Sequence, residues 1–416
     1  MGEPTLSTSL SAARRLAVLR QHLAGPAREG DPQETVLSVL RDIAFVQIDP
    51  IDVVAPSHVL ALWNRVPGFR RVDLERLLWE EKRLFEHWAH FSSVVLMEDY
   101  PLYHALMRRY PESGGRSWRS QNERARKFLA QHEELRRRVL RDLESGPLVL
   151  RDFGDYVPRP RSEDGWSSGS EVRTMLQYLQ LQGEVMIAGH PGHHNAWALP
   201  SDFLPRWADR VVLSDEEAEH RLAQKAIRAL GVASAGEINY HYVTGRYLHL
   251  KEVLRRLESE SLIRRVSVTG MDGKGPRYVH QEDVASLAAL EDGEWTPQIS
   301  LLPPFDNLLG SRERANRLFG FDHLHSLYLP KAQRKFGYYV LSILWGDRFI
   351  GRLDPRLDRA EGKLVVQSVH LEPGAPGDRE VARMIGEKVA ALARFLGADE
   401  VEYTGPVPAP WRSALR

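Results

Sequence analysis

A repeated pattern constrains the fold of this chain more than any other sequence feature. An amphipathic helix followed by a short strand, a tight turn and a second strand occurs three times. In the first copy, Asp31 is the expected N-cap of a helix and Pro32 its first residue, with Glu34 placed for a capping box. Residues 84–96 of that copy are predicted to form two strands around a turn.

The second and third copies repeat the pattern with different residues. The last helix of the second copy has apolar residues at helical spacing and ends near Gly183. Those residues are Val172, Met175, Leu176 and Leu179. The third copy begins at Ser214, which precedes three acidic residues that are typical of a first helical turn. Its strands are predicted over 262–268 and 277–280, around a loop rich in glycine.

Helices followed by a two-stranded hairpin are typical of the winged helix-turn-helix. A helix fits the major groove of duplex DNA, and a basic hairpin can reach the backbone or the minor groove. Three such units in one chain therefore favour a DNA-binding protein. The alternative is a scaffold of winged helices that binds proteins and no nucleic acid.

The sequence changes character after Trp295. Residues 336–345, 348–353 and 363–371 are rich in β formers, with turn signals at Gly346-Asp347 and Asp354-Pro355. Residues 378–396 have helical spacing, so we predict a small β domain closed by a helix. The predicted class is α+β. Its domains are three winged-helix units over 1–110, 111–210 and 211–295, followed by a β domain over 296–416.

Composition excludes several classes of function. The 416 residues contain no cysteine, which excludes disulfides, thiol catalysis and cysteine-ligated metals. No apolar stretch is long enough to cross a membrane, and the N-terminus has no secretion signal, so a cytoplasmic, nucleoid-associated protein is expected. No glycine-rich phosphate loop is present, and we expect no cofactor. His190, His193 and His194 adjoin no acidic or cysteine ligand in the sequence, so we expect no metal.

Charge is balanced overall and uneven along the chain. Basic and acidic residues both number 56, yet residues 108–141 contain eleven basic residues against four acidic. A second basic block spans residues 312–359. Basic blocks of this kind can bind DNA phosphates, although the alternative is a solvated surface. The candidate phosphate contacts are Arg116, Arg119, Arg124, Lys127, Arg334, Lys335 and Arg352.

The candidate catalytic residues lie in the run Phe-Val-Gln-Ile-Asp-Pro at 45–50. In a strand, Gln47 and Asp49 would lie on one face. A carboxylate beside a carboxamide can hold one water, since Asp49 can accept its proton and Gln47 can orient its oxygen. Such a pair suits loss of an N7- or N3-alkylated purine, a leaving group that already carries positive charge. The alternative is that both side chains stabilise a turn.

Several motifs resemble the AlkZ/YcaQ family of bacterial DNA glycosylases, and its YcaQ branch in particular. They are VQIDPIDVVAPSH, EHWAH, GWSSGSEVRTMLQYLQLQGEVMIAG and the long run from SLLPPFDNLLG to GRLDPRLDR. The resemblance implies three tandem winged helices and a small β domain that form a concave basic surface. It implies excision of alkylated bases from double-stranded DNA, including the unhooking of interstrand crosslinks.

The resemblance also assigns residues. Gln47 and Asp49 match the catalytic Gln-x-Asp motif of the YcaQ branch, whereas family members with narrow self-resistance roles tend to have two glutamines. His90 would line the lesion pocket, although a packed strand histidine is the alternative. A crosslinked base cannot be extruded whole, so we expect an open site. We also expect a monomeric, monofunctional hydrolase that leaves an abasic site. The rival predictions are a winged-helix transcription regulator and an inactive DNA-binding paralogue.

Overall fold

The computed structural model describes residues 5–25, 30–112, 118–153, 171–242, 245–271, 275–293 and 295–415 and has the predicted α+β character. The helices are α1 (Leu10–Arg20), α2 (Pro32–Ile43), α3 (Ser57–Trp63), α4 (Arg71–Glu75), α5 (Tyr100–Arg108), α6 (Arg119–Gln131), α7 (Glu133–Asp142), α8 (Glu171–Leu181), α9 (Pro200–Phe203), α10 (Asp215–Leu230), α11 (Ala235–His241), α12 (Leu250–Ser259), α13 (Val284–Asp292), α14 (Arg312–Phe319) and α15 (Arg379–Phe395). The strands are β1 (Leu6–Ser9), β2 (Phe45–Gln47), β3 (Leu84–Ala89), β4 (Phe91–Leu96), β5 (Leu148–Val149), β6 (Met186–Gly189), β7 (Ala196–Ala198), β8 (Val232–Ser234), β9 (Ile263–Thr269), β10 (Arg277–His280), β11 (Ile299–Leu302), β12 (Leu341–Trp345), β13 (Arg348–Asp358), β14 (Lys363–Leu371) and β15 (Glu400–Tyr403). In the described part of the chain, no helix is both long and apolar enough to span a bilayer.

The chain forms two compact units. The first comprises residues 1–73, 224–241 and 256–416, and the second comprises residues 74–223 and 242–255. Each unit thus combines segments from more than one of the four regions proposed from the sequence. That four-domain division stays a prediction.

One sheet of the first unit has the strand order β1-β9-β10-β8. Strand β10 is antiparallel to both of its neighbours, and β1 adds to the edge parallel to β9. The hairpin β9–β10 is the one predicted for the third copy of the repeated pattern. Its core includes the buried face of α1, with Ala13, Leu16 and Ala17 packed in the same cluster as Val266 and Val279.

The second sheet of the first unit is the predicted β domain. Its order is β11-β12-β13-β14-β15, in which β15 pairs parallel to β14 and the other pairs are antiparallel. Helix α15 lies where a closing helix was predicted, and Gly346 makes the predicted turn at φ 59°. The turn predicted at Asp354-Pro355 is wrong. Strand β13 continues through these residues with a shift in register, and such an irregularity accommodates a proline that cannot donate a ladder hydrogen bond.

The second unit contains two smaller pieces of sheet. Strands β3 and β4 form the hairpin predicted for residues 84–96. Strands β5, β7 and β6 form an antiparallel sheet in that order. Helix α8 buries the four apolar residues that predicted it, and Gly183 follows it in a left-handed conformation at φ 73°. At the start of α10, Ser214 Oγ accepts a hydrogen bond from the Glu217 amide at 3.2 Å, as its cap pattern predicts.

Candidate active site

Helix α2 places the candidate catalytic segment. Asp31 Oδ2 accepts a hydrogen bond from the Glu34 amide at 3.0 Å, which fixes the start of the helix. Val36 and Leu40 are fully buried along its length. The helix ends at Ile43, and the next residue, Ala44, has a φ of 73° that turns the chain sharply into β2. Since Ala44 has a left-handed conformation that is uncommon for residues with a Cβ, the surrounding structure must hold it there.

Gln47 and Asp49 do not share one strand. Strand β2 ends at Gln47, which is half-buried, and Asp49 lies in the irregular segment that follows. The prediction that a continuous strand presents both side chains on one face is therefore wrong. The reason is local, because Oδ1 of Asp49 accepts a hydrogen bond from the Ile51 amide at 3.1 Å and the chain turns across Pro50.

The Asp49 carboxyl group is buried. Only 4% of the residue is exposed, and within the described residues Oδ2 has no hydrogen-bond partner of good geometry. Burial raises the pKa of Asp49 from 3.8 to about 6, while the Ile51 amide and the hydroxyls of Ser57 and Tyr339 partly offset this rise. Such a carboxylate is ionised at neutral pH and basic enough to take a proton. The sequence analysis predicted an open site, whereas this carboxyl group is almost completely buried.

Ser57 and Tyr339 connect the segment to the β domain. The Tyr339 hydroxyl donates to the Ala55 carbonyl at 3.0 Å and lies 2.9 Å from Ser57 Oγ. Tyr339 is fully buried, and Ser57 is 1% exposed. Each hydroxyl has one proton to share among its neighbours, and both hydroxyls favour the ionised form of Asp49. The two hydroxyls thus hold the far end of the loop that begins at Asp49.

Asn307 holds the chain on the other side of the candidate residues, where α2 ends and β2 begins. Asn307 Nδ2 donates to the Phe45 carbonyl at 2.7 Å and to the Ile43 carbonyl at 3.2 Å. Its neighbour Asp306 makes a bidentate ion pair with Arg65 at 2.7 and 2.8 Å, and both of these side chains are completely buried. Because a buried bidentate pair has one favourable geometry, it fixes the positions of both Arg65 and Asp306. The catalytic candidates are therefore held from both ends by residues close in space and distant in sequence.

Ser57, Tyr339 and Asn307 were missed by sequence reasoning. Tyr339 lies 284 residues from Ala55, and Asn307 lies 262 residues from Phe45. All three residues lie within the quoted family motifs, yet no local pattern assigns any of them a role in the site. Only the high density of the family motifs around both segments was a usable signal.

The basic candidates of the second unit lie on helix α6. Arg119, Arg124 and Lys127 are exposed, and Lys127 forms an ion pair with Glu123 at 2.9 Å. Exposed pairs between residues i and i+4 are weak, so this contact leaves Lys127 available to a phosphate. Arg116 lies outside the described residues.

The basic candidates of the β domain have different environments. Lys335 is exposed, with its ammonium 4.9 Å from the Phe336 ring centroid, and Arg334 is half-buried over Tyr338. Arg352 is 4% exposed, lies against Phe321 and Phe336, and donates to the Asp322 carbonyl and to Glu372. A buried guanidinium with these partners cannot reach a phosphate without breaking them. We therefore correct the prediction for Arg352, which has a structural role.

The histidine candidates lie in the second unit. His90 is buried in the β3–β4 turn, with its ring 5.2 Å from that of Phe91. His190 contacts Glu86, with Nε2 2.7 Å from Oε1, and this carboxylate outweighs burial and raises the pKa of His190. The fold thus supplies His190 with an acidic partner that the sequence did not indicate. Across the described ranges, no three His, Asp or Glu side chains are grouped as metal ligands would be.

The comparisons with known proteins agree with this fold. A family model described as DNA glycosylase AlkZ-like matches residues 40–395. The solved structure of the Streptomyces sahachiroi DNA glycosylase AlkZ superposes with a TM-score of 0.67 at 17% identity and covers 96% of this chain and 100% of that one. At this identity the structural match shows a shared fold, and the family model shows the family. The chain belongs to the AlkZ-like DNA glycosylase family.

Proposed function

We propose that this protein hydrolyses the N-glycosidic bond of alkylated purines in double-stranded DNA, with N7-alkylguanine as the typical substrate. Interstrand crosslinks at the same nitrogen are included, and the product is an abasic site. The observation that carries the proposal is the buried Asp49 carboxyl group, two residues after Gln47 and with a pKa of about 6, in a chain of a DNA glycosylase family. A buried carboxylate is costly, and a site that retains one commonly uses it.

The chemistry follows from the leaving group. An N7-alkylated guanine carries positive charge, so the bond between N9 and C1′ breaks with its electron pair moving to the purine, which leaves as a neutral base. Asp49 stabilises the oxocarbenium-like sugar, Gln47 orients a water, and Asp49 Oδ2 accepts the proton as the water oxygen bonds to C1′. No step uses a lysine nucleophile, so strand cleavage is not expected.

We further propose that the repeated units are winged helices that bind DNA. In the third copy the strand order β8-β10-β9 supports this, because the short strand before the last two helices pairs with the second hairpin strand. In the second copy the order β5-β7-β6 repeats that arrangement. Arg119, Arg124, Lys127, Arg334 and Lys335 are the proposed phosphate contacts, and His90 the proposed pocket residue. The protein would act as a monomer on chromosomal DNA in the cytoplasm.

A direct experiment tests the function. Base release is measured from duplexes with N7-methylguanine and with a nitrogen-mustard crosslink, for wild type, Asp49→Asn and Gln47→Ala. We expect release from both substrates, a fall of 10²–10⁴-fold in the Asp49 variant as for loss of a general base, and unchanged DNA binding. Asp52→Asn is the matched control, since Asp52 is exposed and paired with Arg359 at 2.9 Å. Absence of release with intact, sequence-selective binding would instead favour a transcription regulator.

A further inference from the structure

Tyr328 is unusually exposed for an aromatic residue. It is 74% exposed, the highest value among the large hydrophobic side chains exposed in the described residues. It ends a short 3-10 turn, Ser326–Tyr328, in the segment between α14 and β12. A single exposed tyrosine is ordinary, so its surroundings decide whether it has a role.

Tyr328 belongs to a group of aromatic rings. Phe305 and His325 stack with their centroids 5.2 Å apart and their planes 17° apart. Tyr328 lies edge-on to both, at 6.4 Å from Phe305 and 6.3 Å from His325. Since Phe305 and His325 are half-buried, the group has a fixed base with Tyr328 projecting from it. We call Phe305, His325 and Tyr328 the aromatic group.

The aromatic group is tied to the catalytic segment. Phe305 directly precedes Asp306 and Asn307, which bind Arg65 and the Phe45 carbonyl two residues before Gln47. Partial burial raises the pKa of Tyr328, and the negative charge of Asp49 contributes to the same rise, so the phenol lies within electrostatic range of the carboxylate. The backbone contact of Asn307 thus ties the base of the aromatic group to the Gln47–Asp49 segment.

The electrostatics of the aromatic group and of Asp49 favour a cationic ligand. Burial and nearby Arg312 lower the pKa of His325, and burial lowers that of its neighbour His323 to about 4, so both imidazoles are neutral at pH 7. Neutral rings and an anionic carboxylate attract a flat cation, since the face of an aromatic ring is negative. An N7-alkylpurine in DNA is such a cation.

We propose that the aromatic group is a stacking surface that selects the positively charged purine of an alkylated nucleotide, with Tyr328 making the first contact. This inference rests on the proposed function. Stacking of a base on an exposed aromatic ring tolerates different purines, and the charge supplies the selectivity. Because the purine loses its charge as the bond breaks, the contact favours the bound substrate over the transition state.

Binding to two matched duplexes tests the proposal. One contains 2′-fluoroarabino-N7-methylguanine, which is cationic and resists hydrolysis, and the other contains neutral 7-deaza-7-methylguanine. Wild type should bind the cationic duplex on the order of tenfold more tightly, as a cation–π contact of about 1–2 kcal/mol implies. Tyr328→Phe should keep this preference, and Tyr328→Ala should lose most of it. Trp207→Ala, which removes a side chain that is 52% exposed, should leave it unchanged.

The outcomes separate this proposal from the proposed function. An unaltered preference in Tyr328→Ala, or no preference in wild type, overturns the stacking surface. A preference that depends on Tyr328 without any base release supports the surface and contradicts the glycosylase. With release intact, Tyr328→Ala should raise KM without lowering kcat, because the lost contact is stronger with the bound substrate than with the transition state. Thermal unfolding checks that the fold is unaffected.

Discussion

The Gln47–Asp49 segment and helix α6 both carry charge, in opposite settings. Asp49 is 4% exposed and held between the Asn307 contacts on one side and Tyr339 on the other. On α6, Arg119, Arg124 and Lys127 are exposed, and the contact of Lys127 with Glu123 is an exposed helical pair. In the Gln47–Asp49 segment, one substitution removes contacts that no other residue makes. On helix α6, several similar charges are proposed to bind phosphates together. Single substitutions in or around the segment should therefore have large effects on stability or base release. Single substitutions on the helix should have small effects on DNA binding.

The largest effect on stability is expected at the buried ion pair that supports the segment. Arg65→Ala leaves Asp306 as an unpaired buried carboxylate, which should lower the free energy of unfolding by about 3–5 kcal/mol. Arg359→Ala breaks a pair in which both side chains are about half exposed, and should cost less than about 1 kcal/mol. Denaturant unfolding measures both. Equal costs for the two variants would contradict the distinction between the regions.

A smaller loss of stability is expected for Tyr339→Phe. The change leaves the buried Ala55 carbonyl without its donor, at about 1–3 kcal/mol. It also removes a hydroxyl that favours ionised Asp49, so the pKa of Asp49 should rise above about 6. The pH at which base release is half-maximal should move upward in this variant. If stability falls and the pH profile does not change, Tyr339 supports the loop but does not influence the ionisation of Asp49.

Asp49→Asn should make the protein more stable at neutral pH. The folded-state pKa of Asp49 lies above its ordinary value of 3.8, so ionisation of this group disfavours folding. The penalty is absent below about pH 4, grows between pH 4 and 6, and is complete above pH 6. The Tm of the variant should exceed that of wild type at pH 7.5, and the gap should shrink toward pH 4. A constant gap would contradict a raised pKa.

The smallest effects are expected on α6. Each of Arg119→Ala, Arg124→Ala and Lys127→Ala should weaken DNA binding a few-fold, alike for damaged and undamaged duplexes. The triple variant should reduce the slope of log affinity against log salt by about 3. Arg383→Ala, on the exposed face of α15 and paired with Glu380 and Glu387, is the control. A slope unchanged in the triple variant would remove α6 from the DNA interface.

Much of the fold could be predicted because its signals are local. Asp31 caps α2, the apolar residues of α8 are buried, and residues 84–96 form a hairpin, each as their spacing predicts. Asp354-Pro355 failed as a turn signal because the pairing of β13 with β14 outweighed it. Tertiary context decided that case, and no local pattern could show it.

The site could be predicted only in part. The motif led to the proposal of Gln47 and Asp49, and the family model supports the class of protein that the motif suggested. Burial of Asp49 could not be predicted, since it depends on residues such as Tyr339 that lie far along the chain. Arg352 was misassigned for the same reason, because Phe321 and Glu372 surround it only in the folded protein.

Buried Asp49 is proposed to be the base that activates water. The most direct measurement is the pH dependence of single-turnover release of N7-methylguanine, which excludes product release as the limiting step. If Asp49 is this base, the rate should rise with pH and be half-maximal at about pH 6 in wild type, as Asp49 ionises. Asp49→Asn should be slow at every pH and lose this titration. A wild-type profile that persists in Asp49→Asn would show that another group is the base.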